Sequence, residues 1–205
     1  MSYRWEITAS VLRQGVIGIV RTHDAESAVS AARAALEAGL RSLELPLTNP
    51  GALDAIAGLA AAYPDATIGA GTVLDEASAV LAIRAGARFL VSPSVDAGVI
   101  RTAHRYGAAA LPGAGSVTEI VRALEEGADA VKVFPASALT PSWVKDVRAA
   151  LPQAPLVPTG GIGPADVPGW LAAGAVACGV GSALTRGTTA DISARVETLL
   201  RSAHG

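Results

Sequence analysis

The 205-residue chain predicts an α/β fold, a single-domain (β/α)8 TIM barrel spanning residues 1–205 with a short helix ahead of its first strand. Two observations carry this expectation. Helix-like text ending in Gly, followed within a few residues by a β-rich run, recurs in EAGLRSLELPLTNP, RAGARFLVSPS, RYGAAALPGAG, EEGADAVKVFPAS and AAGAVACGVGS. Gly accepts the left-handed geometry that ends a helix, and short strands alternating with helices are the mark of successive βα units on a parallel sheet. The second observation is that no linker or composition shift divides the chain.

Residues 5–13 form the leading helix. Eight strands follow at 16–21, 42–47, 67–73, 89–93, 109–113, 130–135, 156–161 and 175–182. Helices fit between them, for instance over 24–38, 51–62, 75–85, 118–126 and 141–151. Eight units in this length make a barrel with short loops. A doubly wound open sheet is the alternative, disfavoured because no G-x-G-x-x-G opens a helix after the first strand.

Composition narrows the function classes. Hydrophobic residues make up 51% and charged residues 17% of the chain, which argues against disorder. A net charge of −2 offers no basic field for nucleic acid. The start, MSYRWEITASVLRQG, lacks an apolar signal region, and no apolar run is long enough for a membrane span. No nucleic-acid or membrane partner is expected, and a cytoplasmic location is. Cys178, the single cysteine, sits among small apolar residues and reads as core packing. With three histidines, His23, His104 and His204, and no H-x-x-x-H or C-x-x-C spacing, no metal site is expected.

In such barrels the chemistry lies at the C-terminal ends of the strands. Reading those ends in order gives Arg21, Glu44, Thr72, Ser92-Pro93, Lys132, Thr159-Gly160-Gly161 and Gly181-Ser182. Lys132 is the sharpest signal, because the chain has 14 arginines but only two lysines. Lys145 lies in a charged helical stretch and reads as solvated. Lys132 lies between Val131 and Val133, so the two-residue period of a strand turns it inward. Desolvation lowers the pKa of such an amine and makes it able to attack a carbonyl; a buried Lys–Glu pair without chemistry is the competing reading. Glu44, between Leu43 and Leu45, has the same parity and reads as a general base or as a counter-ion. The glycines of 159–161 and 179–182 suit close approach of a phosphate to backbone N–H groups, or simply tight turns. Those of GAGT at 69–72 relieve crowding. Thr72 is a ligand contact or a core-lining residue. Arg21 pairs with a substrate carboxylate or sits on the surface. Pro93 shapes the pocket wall or stops its strand.

E-L-P-L-T-N-P, G-A-G-T-V-L, V-K-V-F-P and P-T-G-G-I stand in an order and spacing that resemble the 2-keto-3-deoxy-6-phosphogluconate (KDPG) aldolase family, from GIVR at 18–21 to GVGS at 179–182. The resemblance implies a class I lyase of Entner–Doudoroff-type metabolism, usually trimeric and needing neither metal nor cofactor. It matches Lys132 to the Schiff-base lysine and Glu44 to the proton-moving carboxylate. Thr72 matches a contact to the pyruvate carboxylate, and Gly160, Gly161 and Ser182 match the phosphate site. Thr48 stands where gluconate-type members carry an Arg; galactonate-type relatives lack that Arg and use one at the end of the first strand, where this chain has Arg21. Thr159, in PTGG, matches the gluconate type, so the epimer preference stays open. The expected reaction is cleavage of KDPG to pyruvate and glyceraldehyde 3-phosphate. The alternatives are the 6-phosphogalactonate epimer, 4-hydroxy-2-oxoglutarate, or a non-catalytic sugar-phosphate binder.

Overall fold

A computed structural model describes residues 3–204. Helix α1 (Arg4–Leu12) precedes β1 (Val16–Ile19), α2 (Ala25–Glu37), β2 (Ser42–Pro46), α3 (Ala52–Ala62), β3 (Thr67–Gly71), α4 (Glu76–Arg84), β4 (Phe89–Val91) and α5 (Ala97–Arg105). The second part runs β5 (Ala109–Leu111), β6 (Gly113–Ala114), α6 (Val117–Glu125), β7 (Val131–Val133), α7 (Pro141–Ala150), β8 (Leu156–Pro158), α8 (Val167–Ala172), β9 (Cys178–Val180) and α9 (Thr189–His204). Every strand pairing is parallel, in a six-stranded sheet ordered β5-β4-β3-β2-β1-β9 and a three-stranded sheet ordered β6-β7-β8. No described helix is long and apolar enough to cross a membrane.

Local chemistry explains the helix boundaries. Asp24, Asp75 and Asp96 each accept a backbone N–H from three residues on at 2.7 Å, capping α2, α4 and α5. At the other end, the glycines marked in the sequence repeat (Gly39, Gly86, Gly107, Gly127 and Gly174) all have positive φ, from +77° to +109°, as helix-terminating glycines should.

One strand is divided where the sequence predicts a single run. The run anticipated at 109–113 is split into β5 and β6 at Pro112, which has no N–H to give a ladder. The Pro112 carbonyl still accepts the Lys132 N–H at 2.9 Å, and Gly113 lies so close to the Pro93 carbonyl that a Cβ would overlap it. The other strands end earlier than expected, at Ile19, Pro46, Gly71, Val91, Val133, Pro158 and Val180. Arg21, Thr72, Pro93, Thr159 to Gly161, Gly181 and Ser182 therefore sit in the loops just beyond.

Alternation along the strands sorts side chains into two cores. Val16, Leu43, Leu45, Ile68, Ala70, Leu90, Val131, Val133, Leu156, Cys178 and Val180 pack with the helices. Ile17, Phe89, Val91, Ala109, Leu111 and Val157 face the other way and form a smaller cluster with Ile7 and Val11 of α1. That helix lies against β1 to β5 and buries its Ile–Val stripe at the end of the sheet where the strands begin. Cys178 is fully buried, and desolvation pushes its thiol up to about 12, in keeping with core packing.

Gly69 and Gly58 give opposite expectations for the same substitution. A Cβ at Gly69 would meet the Phe89 ring at 2.5 Å, so Gly69→Ala should destabilise the protein by about 1–3 kcal/mol. Gly58, exposed within α3, has nothing within 4 Å of its would-be Cβ, and Gly58→Ala should stabilise by about 0.5–1 kcal/mol. Thermal unfolding should separate them by sign, at roughly 2–4 °C per kcal/mol; a stabilised Gly69→Ala would show that the inner face is loosely packed.

Candidate active site

Beyond the C-terminal ends of the strands lies a cavity of about 470 Å3 lined by Ile19, Arg21, Glu44, Lys132, Phe134, Thr159, Gly160, Gly161, Ile162, Gly181, Ser182, Thr185 and Arg186. A larger cavity, about 570 Å3, lies beside α1 among Trp5, Glu6, Arg13, Asp65 and Arg88; Arg13, Asp65 and Arg88 are exposed and Glu6 is half-buried. The first cavity gathers buried Glu44 and Lys132 together with exposed Arg21 and Arg186.

Lys132 occupies the middle of β7, between two fully buried valines, and is 9% exposed. Its ladder partners are Gly113 and Val157, and its Nζ stands 4.7 Å from the centre of the Phe134 ring. Glu44 occupies the middle of β2, between two fully buried leucines, and is 3% exposed. Its Oε2 has no hydrogen-bond partner among the described residues. Gly71 on the neighbouring strand makes room for that carboxylate, since a Cβ there would overlap it.

The two groups are coupled without touching. Among the described residues they form no ion pair. Burial lowers the Lys132 pKa, the charge of Glu44 opposes that shift, and the charge of Arg21 adds to it. Burial raises the Glu44 pKa, while the charges of Lys132 and Arg21 oppose the rise. Desolvation leads in both cases, so each group is displaced toward its neutral form.

Arg21 reaches this pair from the loop after β1. Its Nη1 donates to Thr48 Oγ1 at 3.4 Å and its Nη2 to Thr72 Oγ1 at 3.5 Å, both long bonds. Buried Asn49 fixes the loop by donating to Val20 O at 2.7 Å and accepting the Thr22 N–H at 3.3 Å, which brackets Arg21 on both sides. Thr72 has φ +56°, a left-handed conformation uncommon for a β-branched residue. It enters the site through Arg21 and is not itself among the residues lining the cavity.

At the other end the chain turns tightly. Gly160 and Gly161 have φ of +98° and +80°; a Cβ on Gly161 would meet Ser137 Cβ at 2.9 Å. Gly181 and Ser182 begin a 3₁₀ turn at Ser182–Leu184. Thr159 is buried, and its hydroxyl donates to Val157 O at 3.1 Å, so its polar end is engaged with its own strand.

Of the ten site residues expected from sequence, the cavity assembles Lys132, Glu44, Arg21, Thr159, Gly160, Gly161, Gly181 and Ser182. Pro93 is outside the lining; half-buried, it backs the split strand through its contact with Gly113. Sequence reasoning missed Phe134, Thr185, Arg186 and Asn49. Phe134 shares the parity of Lys132 two residues on and was open to the same argument. No period marks the other three, which lie in loops. Among the described residues no three His, Cys, Asp or Glu side chains converge in a metal-binding group.

Known proteins resemble this chain along most of its length. Residues 7–198 match the family described as "Aldolase: KDPG and KHG aldolase". The chain is 38% identical over 173 residues to the 2-dehydro-3-deoxy-6-phosphogalactonate aldolase of Escherichia coli strain K12, covering 83% of this chain and 84% of that protein. It is 34% identical over 187 residues to the 2-dehydro-3-deoxy-phosphogluconate aldolase of Pseudoalteromonas atlantica, covering 89% and 86%. Among solved structures, KDPG aldolase from Legionella pneumophila, with pyruvate captured at low pH as a covalent carbinolamine intermediate, superposes with a TM-score of 0.79 at 27% identity, over 98% of this chain and 97% of that one.

The coupling yields a signed expectation. Because burial lowers the Lys132 pKa, its reaction with an amine-acylating reagent, followed by peptide mass, should rise through a midpoint below the ordinary 10.5. Removing the Glu44 charge removes what holds that pKa up, so Glu44→Gln should move the midpoint lower still. A midpoint that rises in Glu44→Gln would show that the two groups do not share a field. Gly71→Ala should displace the Glu44 carboxylate and shift the Lys132 midpoint away from the wild-type value in the same assay.

Proposed function

The chain belongs to the KDPG and KHG aldolase family, and from that premise we propose that it is a class I aldolase cleaving 2-keto-3-deoxy-6-phosphogluconate to pyruvate and glyceraldehyde 3-phosphate. The observation that carries the reading is one desolvated amine and one unpartnered buried carboxyl in a single cavity. Neutral Lys132 attacks the C2 ketone to give a carbinolamine, the state at which pyruvate was captured in the Legionella relative. Loss of the hydroxyl as water, with a proton drawn from solvent, leaves a protonated imine, an electron sink. Glu44, through a water, takes the C4 hydroxyl proton. The C3–C4 bond breaks, its electrons pass into the imine, and glyceraldehyde 3-phosphate leaves. Glu44 then returns its proton to C3 of the enamine, and hydrolysis of the resulting imine releases pyruvate and the amine. A carboxyl whose pKa is raised by burial suits a group that must both accept and return a proton.

Arg21, with Thr72 beside it, holds the carboxylate end. The backbone and hydroxyl of Gly160, Gly161, Gly181 and Ser182 hold the phosphate end, so the two anchors set the position of the ketone against Lys132. Thr159 and Pro93 support the wall. A second reading, cleavage of the 6-phosphogalactonate epimer, is favoured by the hydrogen bond that carries the Arg21 guanidinium to Thr48, the position at which gluconate-type relatives have their own arginine.

The same reading takes residues 1–205 as one closed (β/α)8 barrel. Its support is the isolated bridge between Thr159 and Gly179, which joins β8 to β9, and the near-continuity of β5 and β6 across Pro112, which joins the other edges. It also includes a homotrimer working in the cytoplasm on an Entner–Doudoroff-type route. Exposed Leu74 and Leu81 supply apolar surface for subunit contact.

Borohydride added with pyruvate should leave a covalent pyruvate adduct on the wild-type protein and none on Lys132→Ala; an adduct persisting in the variant would move the chemistry to another amine. Glu44→Gln should lower kcat by about 10²–10⁴-fold with the fold intact. Omitting the phosphate from the substrate should lower kcat/KM by about 10²-fold. An unchanged kcat/KM would take the glycine turns out of substrate binding.

A further inference from the structure

Four charged side chains line the cavity: the carboxylate Glu44 and the bases Arg21, Lys132 and Arg186. Two of the bases are committed. Lys132 is desolvated beside Glu44, and Arg21 is directed to Thr48 and Thr72. Arg186, in the loop after β9, is exposed, and its side chain makes no ion pair or hydrogen bond to any described residue.

Its backbone, by contrast, is fastened on both sides. Arg195 of α9 donates from Nε to Ala183 O at 2.7 Å and from Nη2 to Arg186 O. Asp191 accepts both the N–H and the hydroxyl of Thr188 at 2.8 Å. Gly187 turns the chain between them at φ +81°, against Asp191. A loop anchored in this way holds one unpaired guanidinium at the rim of the cavity, on the side of the glycine turns.

Backbone N–H groups offer hydrogen bonds but no net charge, and a phosphate dianion leaving water needs both. Resting on the aldolase reading only for which end of the substrate is phosphorylated, we propose that Arg186 is a specificity-determining residue that binds the phosphate beside Gly160, Gly161 and Ser182. It favours phosphorylated keto acids over their dephosphorylated counterparts. The glycine turns give the shape of the subsite, and Arg186 gives its charge.

The test uses wild type, Arg186→Gln and Arg186→Lys. Each is titrated calorimetrically with glycerol 3-phosphate and assayed for the ratio of kcat/KM on the phosphorylated keto acid to that on its dephosphorylated form. Arg186→Gln should weaken glycerol 3-phosphate binding and lower the ratio, each by about 10- to 100-fold. Arg186→Lys should recover part of both, keeping the charge but losing the planar fork. Equal affinity for glycerol 3-phosphate in wild type and Arg186→Gln overturns the proposal, as does an unchanged ratio. Arg186-dependent binding without a borohydride-trapped pyruvate adduct sustains this site and sinks the aldolase reading. An adduct with Arg186-independent phosphate binding does the reverse.

Discussion

Removal of one amine and one carboxyl from water is the constraint on which the rest of this structure turns. Neither group can stay buried and charged without compensation, and no direct ion pair supplies it among the described residues. Burial moves the pKa of each toward its neutral form, and the charge of the other opposes the move. A contact ion pair would hold both charges in place and leave neither a nucleophile nor a proton carrier. Held apart and kept dry, both are displaced toward their neutral forms, which the proposed chemistry uses.

That separation is built from strand geometry. Lys132 and Glu44 each lie mid-strand between branched apolar residues that pack on the helices, so their inward direction is enforced by burial on the opposite face. A one-residue slip in register would drive the charges into the helix layer and the valines into the cavity. Gly71 gives the carboxylate its space, while α1 seals the end where the strands begin with Ile7 and Val11. With that end filled by apolar side chains, the polar groups collect where the strands finish.

What could be read from the sequence was what periodicity and backbone chemistry encode. Lys132 and Glu44 stood out because period-2 flanks of Val and Leu force a direction on them, and the helix-ending glycines because left-handed backbone selects Gly. The break at Pro112 was hidden, since an apolar run reads as continuous until the carbonyls around Gly113 are seen. Loop residues follow no period: Asn49 fixes the Arg21 loop through two bonds to residues nearly thirty positions away, and Arg186 owes its place to Arg195 on the last helix. Thr159 stood among the strand-end candidates, yet its hydroxyl bonds to the carbonyl of Val157.

In the proposed reaction Arg21 connects the carboxylate-binding end to the Lys132–Glu44 pair. Its charge lowers the pKa of Lys132 and also that of Glu44, so an unliganded guanidinium favours neutral amine and ionised acid. Those are the forms needed to attack a ketone and to accept a proton. A substrate carboxylate seated on Arg21 offsets that positive charge, and both pKa values rise as a result. The shift accompanies the arrival of the ketone at the amine in the proposed reaction, and it favours the cationic imine and the protonated acid of the later steps. This guanidinium thus pulls the pair, in the proposed reaction, toward neutral amine and ionised acid, against the larger effect of burial on the acid, and a bound carboxylate relaxes that pull.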